Sequence, residues 1–352
     1  IYSLLQLRML RITFTLLAPV AVAACSNWIM SNDYFISGRT MDLGPIPGLE
    51  WSLANMPRAS ALHPQAGPIK KAKYGSVGIV FRLLPNQVTG GLNEAGLSCD
   101  EQTLITTQMP PPTNTSRDVN VKYFCQWALS NFATTDEVHA ALLNGTAHIW
   151  GTNESSAQNG LHHSLRDATG HSLVVEYVDS QMQVYRDLND GGKTGYGVMT
   201  NEPEYPFMVR LVQHTEWKRT LARPGVTMPG TWYPDHRFMR LHFVKEGMPK
   251  PNSLREAVMQ AVHVLNTVTV PMGEQIGTDS GAGEGAGDHT MWGILYDHKE
   301  KTVYWRTQYN QNLQRLRLAD IDLATGATIK YLSLSPRNEL PWFNDASHSF
   351  RG

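Results

Sequence analysis

The chain has 352 residues, of which 41% are apolar and 17% charged, and its formal net charge is −1. These proportions describe a folded chain with a sizeable core and exclude a disordered or membrane-embedded one. With the charge near zero and no basic run, electrostatics favours neither nucleic acid nor an anionic surface as a partner.

The first element is a leader. Arg8 and Arg11 make a positive start, an apolar run begins at Ile12, and the small residues Ala23 and Ala24 close it. That is the layout of a secretory signal. The apolar stretch is about half of the roughly 20 residues that a spanning helix needs. Residues 1–24 are therefore read as a signal peptide, and the protein as secreted or periplasmic. Cleavage after Ala24 leaves Cys25 first in the mature chain. A thiol and a free α-amine then share one residue, giving a nucleophile and a base that need no His or Asp for activation. A rival reading takes Val22-Ala23-Ala24-Cys25 as a lipoprotein site, with Cys25 acylated and the protein anchored and noncatalytic. Against it, Cys25 runs straight into strand-like Trp28-Ile29-Met30 and Tyr34-Phe35-Ile36-Ser37-Gly38 rather than a polar tether.

Further along, Tyr74 to Phe81 reads as a strand, with a turn at Leu84-Pro85-Asn86 and a second strand toward Gly90. From Asp118 to about Leu143, apolar residues including Val121, Phe124, Ala128, Leu129, Val138 and Leu142 recur at helical spacing. A break near Thr134-Thr135-Asp136 starts a second helix at a new N-cap. Strands follow at His171 to Val178 and Gln181 to Arg186, joined at Asp179-Ser180. Ser253 caps a helix from Leu254 to about Asn266. Met291 to Tyr296 and Thr302 to Gln308 flank a hairpin turn, and another strand pair is expected at Leu316 to Asp322 and Thr328 to Leu334. This order suggests sheets with helices on their outer faces. No repeat or linker divides residues 25–352, which are read as a single domain.

Three cysteines are few for an exported disulfide framework. Cys25 is taken by chemistry, and Cys99 and Cys125 either pair or sit as two buried thiols. Residues 277–287 are glycine-rich but lack the Lys-Ser/Thr of a phosphate loop. His162-His163 and Asp288-His289 read as surface residues rather than metal ligands. Neither a metal nor an organic cofactor is expected.

Four separated stretches carry a resemblance. They are Cys25 with Gly38-Arg39-Thr40-Met41-Asp42, then Gly91-Leu92-Asn93-Glu94-Ala95-Gly96-Leu97, then Thr200-Asn201-Glu202-Pro203, and finally Pro229-Gly230 with Arg237-Phe238-Met239-Arg240. Together they resemble the choloylglycine hydrolases, the bile salt hydrolases and penicillin V acylases of the N-terminal nucleophile hydrolase superfamily. The resemblance implies an α+β fold, a four-layer αββα sandwich. It casts Cys25 as nucleophile and general base, and places Arg39 beside the sulfur, where a guanidinium favours thiolate. Asp42 is expected to hold the α-amine, Asn201 to bind the oxyanion, and Arg237 to complete the charge network. A second oxyanion or substrate-facing position falls near Thr103, with Gln102 an equally good donor. Ser26 replaces the usual Thr, and Leu43 stands where an aromatic residue often follows the site Asp. The implied activity is hydrolysis of a linear amide C–N bond in an N-acyl substrate, through a thioester. Conjugated bile salts, penicillin V and related N-acyl amides all fit, and the family tends toward homo-oligomers. The alternative is a lipid-anchored or degenerate homologue that binds an acyl ligand without turning it over.

Overall fold

Two antiparallel sheets stack between two layers of helices. The computed structural model describes residues 25–30, 32–44, 50–82, 84–152, 160–187, 195–220, 228–273, 288–334, 340–344 and 346. The leader and the glycine-rich stretch 277–287 lie outside the described residues. The first sheet contains β1 (Ser26–Ile29), β2 (Ile36–Leu43), β12 (Val198–Thr200), β13 (His289–Asp297), β14 (Thr302–Thr307) and β15 (Gln314–Arg317), in the order β12-β1-β2-β13-β14-β15. The second contains β3 (Trp51–Met56), β4 (Ser76–Phe81), β5 (Leu84–Asn93), β6 (Ser98–Thr103), β9 (Leu161–Arg166), β10 (Ser172–Val178), β11 (Gln181–Arg186) and β16 (Tyr331–Ser333). Their order is β11-β10-β9-β6-β5-β4-β3-β16. A short parallel pair, β7 (Asp118–Asn120) and β8 (His148–Trp150), stands apart.

Three apolar clusters fix the layers. Helices α1 (Phe124–Asn131) and α2 (Thr135–Leu143) cover the second sheet, with Phe124, Trp127 and Val138 packed over Leu165 and Val175. Helices α3 (Tyr205–Thr220), α4 (Pro234–Glu246) and α5 (Leu254–Val268) cover the first, with Phe238 and Leu265 packed over Trp28 and Leu295. Between the sheets lie Met41, Leu53, Ile79, Leu92 and Ile294, and Cys25 belongs to this cluster. The result is the expected four-layer αββα sandwich. Among the described residues, no helix is long and apolar enough to cross a membrane.

Local chemistry accounts for several boundaries. The Thr134 side chain accepts from the Glu137 N–H and starts α2, and Ser253 does the same for Glu256 and α5. Asp179 and Ser180 take positive φ values of 51° and 58° in the turn between β10 and β11, as a tight hairpin of matching twist requires.

Other readings change. Residues 118–120 are a strand, not the start of a helix, because the parallel ladder with β8 holds them extended. Leu84 already belongs to β5, so the turn lies just before it. The two C-terminal segments do not pair with each other. Gln314–Arg317 extends the first sheet beside β14, and Tyr331–Ser333 edges the second beside β3. His162 and His163 are buried rather than on the surface, as are Asp288 and His289. Cys99 and Cys125 form a disulfide that ties β6 to α1.

Gly38 shows how tightly β1 and β2 are fitted. A Cβ there would come to 2.7 Å of Trp28 Cε2 and closer still to Cζ2, against a ring that is fully buried. Gly38→Ala is expected to lower stability by about 1–3 kcal/mol, the usual cost of overpacking a filled core. Urea denaturation of the two proteins checks this, and unchanged midpoints would contradict it.

Candidate active site

The β1–β2 hairpin begins the site. Its register sets Ser26 opposite Thr40 and Asn27 opposite Arg39, so residues distant in sequence flank the chain just after Cys25. On the other side, Ser26 pairs with Thr200 of β12. The strand ends there, and the next residue, Asn201, reaches Cys25: the Cys25 nitrogen donates to Asn201 Oδ1 at 2.7 Å. Arg237, from the first turns of α4, closes the group. Its Nη2 donates to the same Asn201 oxygen at 2.9 Å, and its Nη1 donates to Ser26 Oγ at 2.7 Å and to the Cys25 carbonyl. Its Nε donates to the Trp232 carbonyl at 2.8 Å. Thr103, at the end of β6, accepts from Asn201 Nδ2 through its carbonyl at 2.8 Å and its hydroxyl at 3.0 Å.

The Cys25 sulfur is buried, 3.8 Å from Met41 Sδ. Burial pushes its thiol up, since a thiolate is poorly solvated there. The charges of Arg39 and Arg237 and a hydrogen bond from the Asp42 backbone pull it down, while the Asp42 carboxylate pushes it up. Arg39 is itself fully buried. Its Nη1 donates to the Thr89 carbonyl at 2.6 Å and pairs with Asp100 Oδ1 at 3.3 Å, and its Nη2 donates to the Glu101 carbonyl at 2.6 Å. The Trp292 ring lies 5.2 Å from the guanidinium carbon.

Asp42 sits on the opposite face of β2 from Met41. Its carboxylate accepts from Thr290 Oγ1 at 2.5 Å and from Thr40 Oγ1 at 3.0 Å. Burial outweighs those bonds and the Arg237 charge, so its carboxyl is raised to about 7. The Cys25 nitrogen meets Asn201, not Asp42 as the resemblance implied. In the 352-residue chain that nitrogen is a peptide N–H with one hydrogen to give, whereas a liberated amine has further hydrogens for further acceptors.

Hydrogen bonds thus join Cys25, Asn201, Arg237 and Thr103 directly, and Arg39 and Asp42 act on the sulfur through their charges. Gln102 is buried, and neither atom of its side-chain amide has a partner among the described residues. The sequence reading left out Asp100, Asn27, Tyr296 and Thr290. An acidic residue inside the strand-like run Ser98 to Thr103 was the available signal for Asp100. Among the described residues, no group of three or more His, Cys, Asp or Glu side chains is placed to hold a metal ion.

Comparison with known proteins points one way. The family model described as linear amide C–N hydrolases, choloylglycine hydrolase family, matches residues 25–331. A penicillin V acylase from Pectobacterium atrosepticum is 26% identical over 97% of this chain and 93% of its own length. A bile salt hydrolase/transferase from Clostridium perfringens is 28% identical over 57% of this chain and 65% of its own. Among solved structures, a penicillin V acylase from Agrobacterium tumefaciens superposes with a TM-score of 0.71 at 27% identity, covering 88% of this chain and 91% of that one.

The state of Asp42 has a consequence for stability. Its folded value near 7 lies above the roughly 3.9 of an unfolded Asp. The folded chain thus holds the proton more tightly, and this contribution is complete below about pH 4 and lost as pH rises through about 7. Glu101, raised to about 8 by burial, acts in the same direction. The 352-residue chain is expected to lose stability between pH 5 and pH 8, and Asp42→Asn to lose less. Urea midpoints at both pH values check this, and equal losses in the two proteins would contradict it.

Proposed function

Because this chain belongs to the choloylglycine hydrolase family, and is therefore a hydrolase of linear amide C–N bonds, we propose that it is an exported amidase whose nucleophile is the thiol of Cys25. Cleavage after Ala24 frees the α-amine of the same residue, and the mature enzyme begins at Cys25. The observation that carries this reading is the placement of Cys25. Its nitrogen and its carbonyl sit in one hydrogen-bond network with Asn201 and Arg237, and the residue is buried with its sulfur against Met41. The Cys99–Cys125 disulfide supports export, since such bonds persist in oxidising compartments. The lipidated alternative is disfavoured because Cys25 runs directly into β1, a strand paired on both sides, and no polar tether separates it from the fold.

The chemistry follows from ordinary proton affinities. A free α-amine has a pKa of about 7.7–8.0 and a thiol about 8.5, so moving the proton from sulfur to nitrogen costs only about 1 kcal/mol before the site acts. Arg39 and Arg237 offset part of the cost of burying the thiolate. The sulfur attacks the amide carbon and the amine takes its proton. The developing oxyanion is held by the Asn201 amide, one of whose hydrogens turns from Thr103 to the new oxygen. In this reading the Thr103 hydroxyl, 3.0 Å from the Asn201 amide nitrogen, donates beside it. Losing one such donor costs about 3–4 kcal/mol in the barrier. The C–N bond then breaks, the ammonium gives its proton to the leaving amine, and a thioester remains. Water attacks the thioester, the amine accepts its proton, and the acid departs.

The substrate is an N-acyl amide with a bulky, apolar acyl part and a small amine, amino acid or lactam nucleus as leaving group. Apolar and aromatic side chains, among them Met41, Leu43, Trp51 and Trp292, share the cluster that holds Cys25 and support this choice. The alignment with a penicillin V acylase along nearly the whole chain favours phenoxyacetyl amides as the first substrates to assay. With penicillin V and glycine-conjugated bile salts as the panel, Cys25→Ala is expected to lose at least about 10⁴-fold in kcat/KM. One residue added before Cys25 in the mature enzyme is expected to abolish turnover as well, because it turns the amine into an amide. Full activity in either variant would refute the mechanism.

A further inference from the structure

We propose that Asp100 is a positioning residue that holds the Arg39 guanidinium in place beside Cys25 across the two sheets. The inference rests on Cys25 being the nucleophile and Arg39 its cationic neighbour. Asp100 lies on β6 of the second sheet, yet its carboxylate is bound by side chains from three strands of the first. Asn27 of β1 donates to Oδ2 at 2.9 Å, while Arg39 of β2 and Tyr296 of β13 reach Oδ1 at 3.3 Å and 3.1 Å. Arg39 and Asp100 are 0% and 1% exposed, so no bulk water screens either charge. The other bonds of the guanidinium go to main-chain carbonyls, which align it but do not neutralise it. Among the described residues, Asp100 is the one carboxylate paired with Arg39.

The surrounding chain makes room for this pair. A Cβ at Gly90, in the middle of β5, would come to 2.7 Å of Arg39 Nη1 and closer still to Asp100 Oδ1. A glycine inside a strand marks a close approach of this kind. The neighbouring Cys99 is tied to α1 through Cys125, which fixes the strand that carries the carboxylate. The charged and titratable groups acting here are few. Arg39, Asp42 and Arg237 act on Cys25; Asp100, Glu101 and Tyr296 act on Arg39; and Arg166 acts with Arg39 on Asp100. Removing one member of a buried ion pair leaves the other uncompensated, so the site responds strongly to Asp100.

The test compares Asp100→Asn with the wild-type mature enzyme. The amide oxygen still accepts from Arg39, but the negative charge that offsets the guanidinium is gone. The alkylation rate of Cys25 by iodoacetamide is measured against pH, and kcat and KM are measured on whichever panel amide the wild type hydrolyses. Activity is normalised to alkylatable Cys25. The expected result is a thiol titration moved to lower pH by about half a unit or more, which at pH values below the limb is a roughly threefold faster alkylation. A fall of about tenfold or more in kcat, with KM within twofold, is expected alongside it. If Asp100→Asn does not fold, Asn27→Leu removes one anchor of the carboxylate. It is expected to lower kcat several-fold with KM unchanged. A purely structural role would lower the yield of folded enzyme and leave both the titration and kcat per thiol where they were, and that outcome in the variant assayed overturns the proposal. A wild type that keeps its activity after Cys25 is alkylated would instead overturn the assignment of the nucleophile.

Discussion

Two guanidinium groups buried around one sulfur are the constraint from which the site follows. An unpaired charge taken from water costs several kcal/mol, so the fold supplies acceptors in place of water for both groups, with Arg39 Nε left unpartnered among the described residues. Arg237 draws on the carbonyls of Cys25 and Trp232, the hydroxyl of Ser26 and the amide oxygen of Asn201. Arg39 draws on two carbonyls and the Asp100 carboxylate of the opposite sheet. These acceptors come from β1, β5, β6, the end of β12 and the segment before α4. The site therefore exists only once both sheets and α4 have docked.

That arrangement bears on the proposed mature start at Cys25, which leads straight into the middle of a sheet. Strand β1 lies between β12 and β2, paired on both sides, so the backbone after Cys25 is held by two ladders rather than one. The position of the proposed nucleophile is thereby set by main-chain bonds, and its protonation by the side chains around it. Burial disfavours both the thiolate and the Asp42 carboxylate; Arg39 and Arg237 offset part of that cost for the sulfur, and Arg237 part of it for Asp42.

Much of this was legible in the sequence where the signal is local. Cys25, Arg39 and Asp42 fall within eighteen residues after a leader-like stretch, and β1 and β2 bring them together without help from distant elements. Asn201 and Arg237 were found through short strings shared with a family, since nothing in their own surroundings distinguishes a strand-end Asn or a helical Arg. Asp100 escaped notice because its partners come from strands 61 to 196 positions away. Helix α4 was not identified as a helix because it buries Arg237, Arg240, His242 and Lys245, which blur the apolar stripe on which periodicity relies. Strand β7 was absorbed into a helix because a parallel ladder with β8 is invisible to spacing along one segment. The Cys99–Cys125 pairing stayed open because a count of three cysteines says nothing about distance.

Intact-mass and peptide analysis of the secreted enzyme, acid-quenched during turnover of penicillin V or the panel amide it hydrolyses best, tests the central claim most directly. The expected result is a polypeptide beginning at Cys25 with an unmodified amine, and a transient acyl adduct on the first-residue sulfur. An active enzyme that still carries residues 1–24, or a start blocked by lipid, would contradict it.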